Sequence, residues 1–338
     1  MSEKNADMLR AVDVAKHYYR NETTRTADGS VSRKTIIKAV GGVSLSIRRG
    51  ELVGILGETG CGKSTLGRLL AGLEQPTSGS IELGGVPVGE LYRKDRKALR
   101  RKAQMIFQNP FEVFDPRHKI ERVLEGTLAL HGICGNKAER LQKVSEALES
   151  SGLRPAADYL SRYPNELSGG QLQRIAILRS MLLTPGFVVA DEPVSMLDVS
   201  IRADIINLLY RLTHEENTAV LFISHDISTT RYIADRIAVM YLGQIVEMAP
   251  TQELIKHPLH PYTQALISNC PSSDPRAAFH PITLAGEPPS PAELPNGCYF
   301  SPRCPLATAA CREESQTLSH SGSDEHFVRC SNILYEEN

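Results

Sequence analysis

The chain has 338 residues, 41% apolar and 23% charged, with no tryptophan and a formal net charge of −1. That length admits about two domains of ordinary size, and the near-zero charge argues against nucleic acid or anionic lipid as a partner drawn in by bulk electrostatics. No apolar stretch approaches the ~20 residues of a membrane-crossing helix, and the polar start lacks a secretory signal core; the 7 cysteines are therefore expected reduced, and any membrane work should use a partner's helices.

Residues 9–17 and 36–47 read as strands separated by a polar loop, Asn21–Lys34. Glu51–Leu56 is a short apolar run ending in a glycine-rich turn, and Ser64–Leu73 then places Leu66, Leu69, Leu70 and Leu73 on one helical face. Ser80–Val88 reads as a hairpin in which Gly84 and Gly85 supply positive φ angles. Asp95–Lys102 is a basic helical stretch with a solvated face. From about Phe111 to Met181 the pattern is helical, broken near Asp115-Pro116, Gly132–Asn136, Gly152 and Pro164. Two apolar strands follow, Phe187–Ala190 and Ala219–Ser224, with a helix over Ser200–Thr213 between them, an order that predicts parallel pairing. Beyond His257 proline recurs and periodicity fades. We expect one main domain over 1–256, with a helical subdomain at about 110–181, and over 257–338 an appendage that wraps with little helix or sheet.

The turn after the first apolar run, Gly57-Glu58-Thr59-Gly60-Cys61-Gly62-Lys63-Ser64-Thr65, fits the P-loop spacing and stands between a strand and a helix, as that motif requires. Its glycines let successive N–H groups face one anion, and the helix N-terminus adds partial positive charge. Lys63 should reach the β- and γ-phosphates of ATP and Ser64 should place its hydroxyl on Mg²⁺; Cys61 reads as a small filler. Phe187–Ala190 ends in Asp191 and Glu192, at the end of a strand where α/β sheets hold ligands. Asp191 suits the metal-holding acid, and Glu192 can orient the attacking water.

Leu167-Ser168-Gly169-Gly170-Gln171 opens a second helical stretch and makes a second anion cradle. Two cradles in one chain are redundant unless the second serves a nucleotide on another chain. Here the sequence resembles the nucleotide-binding subunits of ABC transporters, whose signature motif this is. The resemblance, over roughly residues 8–255, implies an α/β P-loop NTPase fold with an antiparallel β subdomain, a helical subdomain and a loop-rich C-terminal extension. It also implies a head-to-tail dimer, homo- or heterodimeric, in which Ser168, Gly169, Gly170, Gln171 and Asp198 face the partner's ATP. Gln108 matches the Q-loop glutamine, which contacts Mg²⁺ and the water. Asp198 stands in a D-loop with Met196 where the family more often has Ala, and His225 matches the histidine that holds the γ-phosphate. Tyr18, ahead of Tyr19, matches the aromatic that stacks on adenine. Together these imply active hydrolysis at the cytoplasmic face of the membrane. The partners implied are two transmembrane permease subunits and, indirectly, an extracytoplasmic substrate-binding protein.

His257–Leu266, with its His260-Pro261-Tyr262, together with Gly286-Glu287-Pro288-Pro289-Ser290 and Gly297–Pro305, resembles the extension of oligopeptide, dipeptide and nickel importer ATPases. This implies import, of di- or oligopeptides foremost; short sugars, opines, glutathione and nickel are alternatives. Cys298, Cys304, Cys311 and Cys330, spaced C-x5-C-x6-C-x18-C, suggest a metal staple in a segment with no core of its own. The resemblance points to a four-iron four-sulfur cluster; zinc and free thiols are the alternatives, since thiolates suit both metals.

Overall fold

The computed structural model describes residues 7–26, 29–270, 280–321 and 323–333. Two sheets carry the molecule. The smaller is antiparallel, in the order β2-β1-β4-β5, built from β1 (Asp7–Thr26), β2 (Gly29–Arg48), β4 (Ser78–Leu83) and β5 (Val86–Pro87). The expected loop Asn21–Lys34 is instead the far end of the β1–β2 hairpin, with ladder pairs running from Asn21↔Lys34 to Thr26↔Gly29. The segment is polar but rich in β-branched threonine, which favours extended backbone.

The larger sheet has eight strands in the order β11-β12-β10-β9-β3-β8-β7-β6. Its centre is β3 (Leu52–Leu56), β7 (Phe187–Asp191) and β8 (Ala219–Ile223), parallel throughout and buried at every position. Such continuous apolar runs belong to strands covered on both faces. One face packs on α1 (Lys63–Leu70) and the small sheet, the other on α8 (Val199–His214). The flanking strands β6 (Ala103–Ile106), β9 (Arg236–Tyr241) and β10 (Gln244–Pro250) complete the frame.

Helices α4 (Ile120–Leu130), α5 (Lys137–Ser150), α6 (Ala156–Leu160) and α7 (Gly169–Met181) enclose a separate core. Ile120, Leu124 and Leu128 recur every four residues to face Val144 and Leu148. Helix α7 joins two cores: Leu172 and Ile175 enter this one while Ile177 enters the core under β7 and β8. Two sides of α7 are thereby fixed by burial.

Regular structure is sparse in the segment beyond His257. After α10 (Thr251–Lys256) come α11 (Pro261–Ser268), α12 (Ala309–Glu313), β11 (Ser319–Ser321) and β12 (Ser323–Val328), and the last two extend the large sheet. Tyr262 and Phe300 pack on Tyr241 of β9, with ring centroids 4.8 and 5.3 Å away. A segment too short for its own core thus shares the cassette's. It is also tied by a buried carboxylate: Glu247 of β10 is fully inaccessible to solvent. Its oxygens accept from the Leu259 N–H (2.7 Å) and the His260 N–H (2.9 Å), and one lies 2.8 Å from Nε2 of the equally buried His326. A buried charge with three partners is held only while all are in place. Glu247→Gln is expected to lower unfolding stability by about 1–3 kcal/mol, measured by urea denaturation.

Candidate active site

The P-loop spans the turn from β3 into α1. Gly57 (φ 155°) and Gly62 (φ 104°) take backbone angles that side chains disfavour, and a Cβ on either would overlap the carbonyl oxygen of Met240 or Ala39 respectively. The Cys61 thiol is buried beside Gly57 and pushed up by that burial, as suits a filler. Lys63, 5% exposed, donates from Nζ to the carbonyls of Gly57 (2.7 Å) and Glu58 (2.9 Å), lying across the loop.

Behind the loop, the Ser64 hydroxyl donates to Asp191 Oδ1 at 3.0 Å. Burial raises the Asp191 carboxyl above the usual carboxylate range, opposed by the bond from Ser64. A hard oxygen pair in which the acid is starved of solvent fits Mg²⁺, which favours carboxylate and hydroxyl oxygen. An acid raised in the folded state lends most stability at low pH and loses it as pH climbs through the folded pKa. Asp191→Asn is therefore expected to raise the melting temperature of the nucleotide-free chain by a few degrees at pH 7. The difference should vanish below the carboxylate range, and Mg²⁺-dependent activity should fall; thermal melts across pH check the sign.

Glu192 follows β7 in the left-handed region (φ 47°), a conformation costly for a side-chain-bearing residue and held by its N–H donating to the Ile223 carbonyl at 2.9 Å. Its carboxylate, 15% exposed, is gripped from two sides. Gln108 Nε2 donates to Oε2 at 3.1 Å, and His225 Nδ1 stands 3.2 Å from Oε1. Gln108 also reaches Ser195 Oγ (3.3 Å), which in turn donates to the Glu192 carbonyl (3.0 Å). Three residues distant in sequence, Gln108, Glu192 and His225, therefore meet.

Those three, with Thr59, Gly60, Gly62, Lys63, Ser64 and Thr65, line one cleft of about 560 Å³. Ile37, Ala39, Arg68 and Pro291 complete it, and none of these four was expected from sequence. Tyr18 does not line the cleft, but its ladder partner Ile37 does, so both side chains stand on the same face of the hairpin. The Tyr18 hydroxyl donates to Glu74 at 2.7 Å; Tyr19 is more exposed, beneath the Lys34 ammonium.

Ser168, Gly169, Gly170 and Gln171 stand apart from this cleft. Ser168 caps α7 reciprocally, accepting from the Gln171 N–H at 3.3 Å while its own N–H donates to Gln171 Oε1 at 3.0 Å. Gly170 has a packing reason as well: a Cβ there would sit 2.6 Å from Ile201 of α8. Asp198 is exposed at the start of α8.

The P-loop is also held from outside. The Glu58 N–H donates to the Tyr262 hydroxyl (3.0 Å), and the Arg303 guanidinium contacts both Glu58 carboxylate oxygens at 3.0 Å. Burial lowers His260 to about 4; neutral, its Nδ1 accepts from the Tyr262 N–H at 3.1 Å and caps α11. The His-Pro-Tyr run is thus a lever from β10 to the phosphate loop. Among the cysteines, Cys298 donates its N–H to the Cys311 carbonyl at 2.8 Å. Burial pushes the thiols of Cys298, Cys304 and Cys330 up, while hydrogen bonding from Thr308 lowers Cys311. Among the described residues no group of three or more His, Cys, Asp or Glu is gathered closely enough to hold a metal ion. None of the described helices is long and apolar enough to cross a membrane.

Comparison with known proteins bears on this geometry. Residues 40–195 match the ABC transporter family model, and residues 246–311 match that of the oligopeptide/dipeptide transporter C-terminal region. The chain is 46% identical over 300 residues to a putative oligopeptide transport ATP-binding protein, YkfD, of Bacillus subtilis, covering 88% of this chain and 90% of the relative. It is 42% identical over 331 residues to the dipeptide transport ATP-binding protein DppF of Haemophilus influenzae, covering 98% of each. Among solved structures, the ATP-binding cassette MJ0796, a dimer in a post-hydrolysis state bound to ADP and Pi, superposes with a TM-score of 0.63 at 28% identity, over 72% of this chain and 99% of that one. With the phosphate loop, the strand-end acids and these relatives agreeing over nearly its whole length, the chain belongs to the family of ABC transporter ATP-binding subunits.

Proposed function

We propose that this chain is the ATP-hydrolysing subunit of a peptide importer, working at the inner face of a membrane on two permease subunits as one half of an ATPase dimer. The observation that carries the hydrolytic part is the Glu192 carboxylate, held between Gln108 and His225 at the cleft that Lys63 and Ser64 line. The peptide part is supported by the C-terminal match over residues 246–311 and by the names of the relatives.

In this reading Lys63 and the N–H groups of the P-loop bind the phosphates of ATP, and His225 holds the γ-phosphate. Tyr18 stacks on the base. Glu192 accepts from the attacking water and orients it, and Gln108 keeps that carboxylate aimed. Ser64, Asp191 and Gln108 would hold Mg²⁺, which supplies charge neutralisation on the phosphates. The 257–338 extension is read as a second unit, tied to the P-loop through Tyr262 and Arg303. Ser168–Gln171 and Asp198 serve the partner's nucleotide, and closure of the pair assembles both sites.

A [4Fe–4S] cluster or Zn²⁺ on Cys298, Cys304, Cys311 and Cys330 is the finer cofactor reading. It is supported by the Cys298–Cys311 hydrogen bond and by the charge effects of the other three thiols on Cys330, and not by ligand geometry. Brown protein containing iron would establish the cluster, colourless protein with stoichiometric zinc the alternative, and metal-free protein would retire both.

The function is tested by purifying the chain with its membrane subunits and binding protein and identifying the ligand carried. Peptide-stimulated, Mg²⁺-dependent ATP hydrolysis is expected, lost in Lys63→Ala. Stimulation by another solute alone would overturn the peptide assignment.

A further inference from the structure

We propose that the C-terminal extension forms a wall of the nucleotide cleft itself, with Pro291 packing against the nucleoside half of bound ATP; this rests on the reading of that cleft as the ATP site. Pro291 lines the cleft together with Lys63 and Ser64, although more than 220 residues separate it from them in sequence. Its place is fixed by backbone: the Pro291 carbonyl accepts from the Lys38 N–H at 3.3 Å, an outward-facing donor on the edge strand β2. Lys38 stands between Ile37 and Ala39, which line the cleft, and Ile37 is the ladder partner of Tyr18 on the same face of the hairpin. Through Lys38 and Ile37 the wall adjoins the face of the hairpin that carries Tyr18, where the base would stack.

A second cavity, of about 300 Å³, runs behind the P-loop between Glu58–Cys61 and Pro288–Pro291. The same extension contacts the loop elsewhere through the Arg303–Glu58 ion pair, so the prolines face a loop that the extension also holds. Three prolines in four residues, Pro288, Pro289 and Pro291, restrict φ and bring apolar rings, so little ordering entropy opposes contact with a ribose or purine edge. An ABC cassette ending at β10 would have no such surface; here the specificity for a nucleoside attached to the phosphates comes in part from the extension.

The test compares ATP with inorganic tripolyphosphate, each titrated with Mg²⁺ into the full-length chain by calorimetry. Pro291→Gly is expected to weaken ATP roughly five- to tenfold, the loss of one buried apolar ring, and to leave tripolyphosphate affinity unchanged. The unchanged tripolyphosphate affinity also certifies that the variant is folded. Pro291→Ala, which keeps Cβ, should fall between, and it serves as the test should the glycine variant not fold. Equal weakening of both ligands would make Pro291 merely structural, and no change in either would remove it from the site; each overturns the proposal. If instead wild-type chain and Lys63→Ala bind ATP alike, the ATP-site reading itself fails, and the wall with it.

Discussion

Glu192→Gln is expected to bind ATP as the wild-type chain does and to lose about 10²- to 10⁴-fold in turnover, the range spanned by a positioned general base. The substitution is nearly isosteric. An amide oxygen can still accept from Gln108 Nε2, now 3.1 Å from Oε2, and the backbone bond from the Glu192 N–H to Ile223 is untouched. Lys63, Ser64 and the P-loop N–H groups are likewise undisturbed, so affinity should hold. What disappears is the negative charge that draws the proton of the attacking water. Phosphate release and equilibrium ATP binding, measured on the same preparation, separate the two. A variant that binds ATP but cannot turn it over should also accumulate as a closed pair, visible as a shift in sedimentation when ATP is added. Unchanged turnover would reduce Glu192 to a strand cap.

Ser168→Arg should produce the complementary phenotype: normal nucleotide binding by the isolated chain, with activity lost by about 10²- to 10³-fold, the effect of removing a donor aimed at developing charge. Ser168 stands outside its own chain's cleft, exposed at the start of α7. The hydroxyl also accepts the Gln171 N–H, so losing that cap costs about 1 kcal/mol of helix stability, far too little to unfold an α7 that is anchored in two cores. An arginine there would instead obstruct the approach of a second subunit. If ATP affinity of the single chain fell as steeply as turnover, Ser168 would be serving its own nucleotide and the two-chain reading would be wrong.

Elements whose chemistry is local were legible in the sequence. The P-loop, the apolar strands β3, β7 and β8, the Gly84-Gly85 hairpin and the Asp95-capped helix stand where the spacing put them. Gln108, Glu192 and His225 were individually assigned from resemblance, and the sheet brings them within 3.2 Å of one another through Glu192. What escaped was chemistry made by juxtaposition. Strands β9 and β10 are joined by the two-residue turn Leu242-Gly243, a weaker signal than Asn-Gly or Gly-Gly, and β6 is only four residues long. Tyr262 and Arg303 fall in the segments His257–Leu266 and Gly297–Pro305 that carry the resemblance, but nothing near them in sequence tells of Glu58. The apolar residues of the tail are too sparse to make a core alone; they join one only when β9 and β10 supply the other half.

The position of β12 has a consequence for how the protein is made. Strand β10 pairs with it through Glu247↔Val328 and Met248↔Phe327, and the buried Glu247 carboxylate waits for His326. During synthesis the cassette's other strands emerge first, so a nearly finished domain holds an open sheet edge, and a carboxylate that has Leu259 and His260 but still lacks His326, until residue 328 is available to pair. Closing that edge is therefore a late step, and it seats the end of the same extension whose Tyr262 and Arg303 contact the phosphate loop.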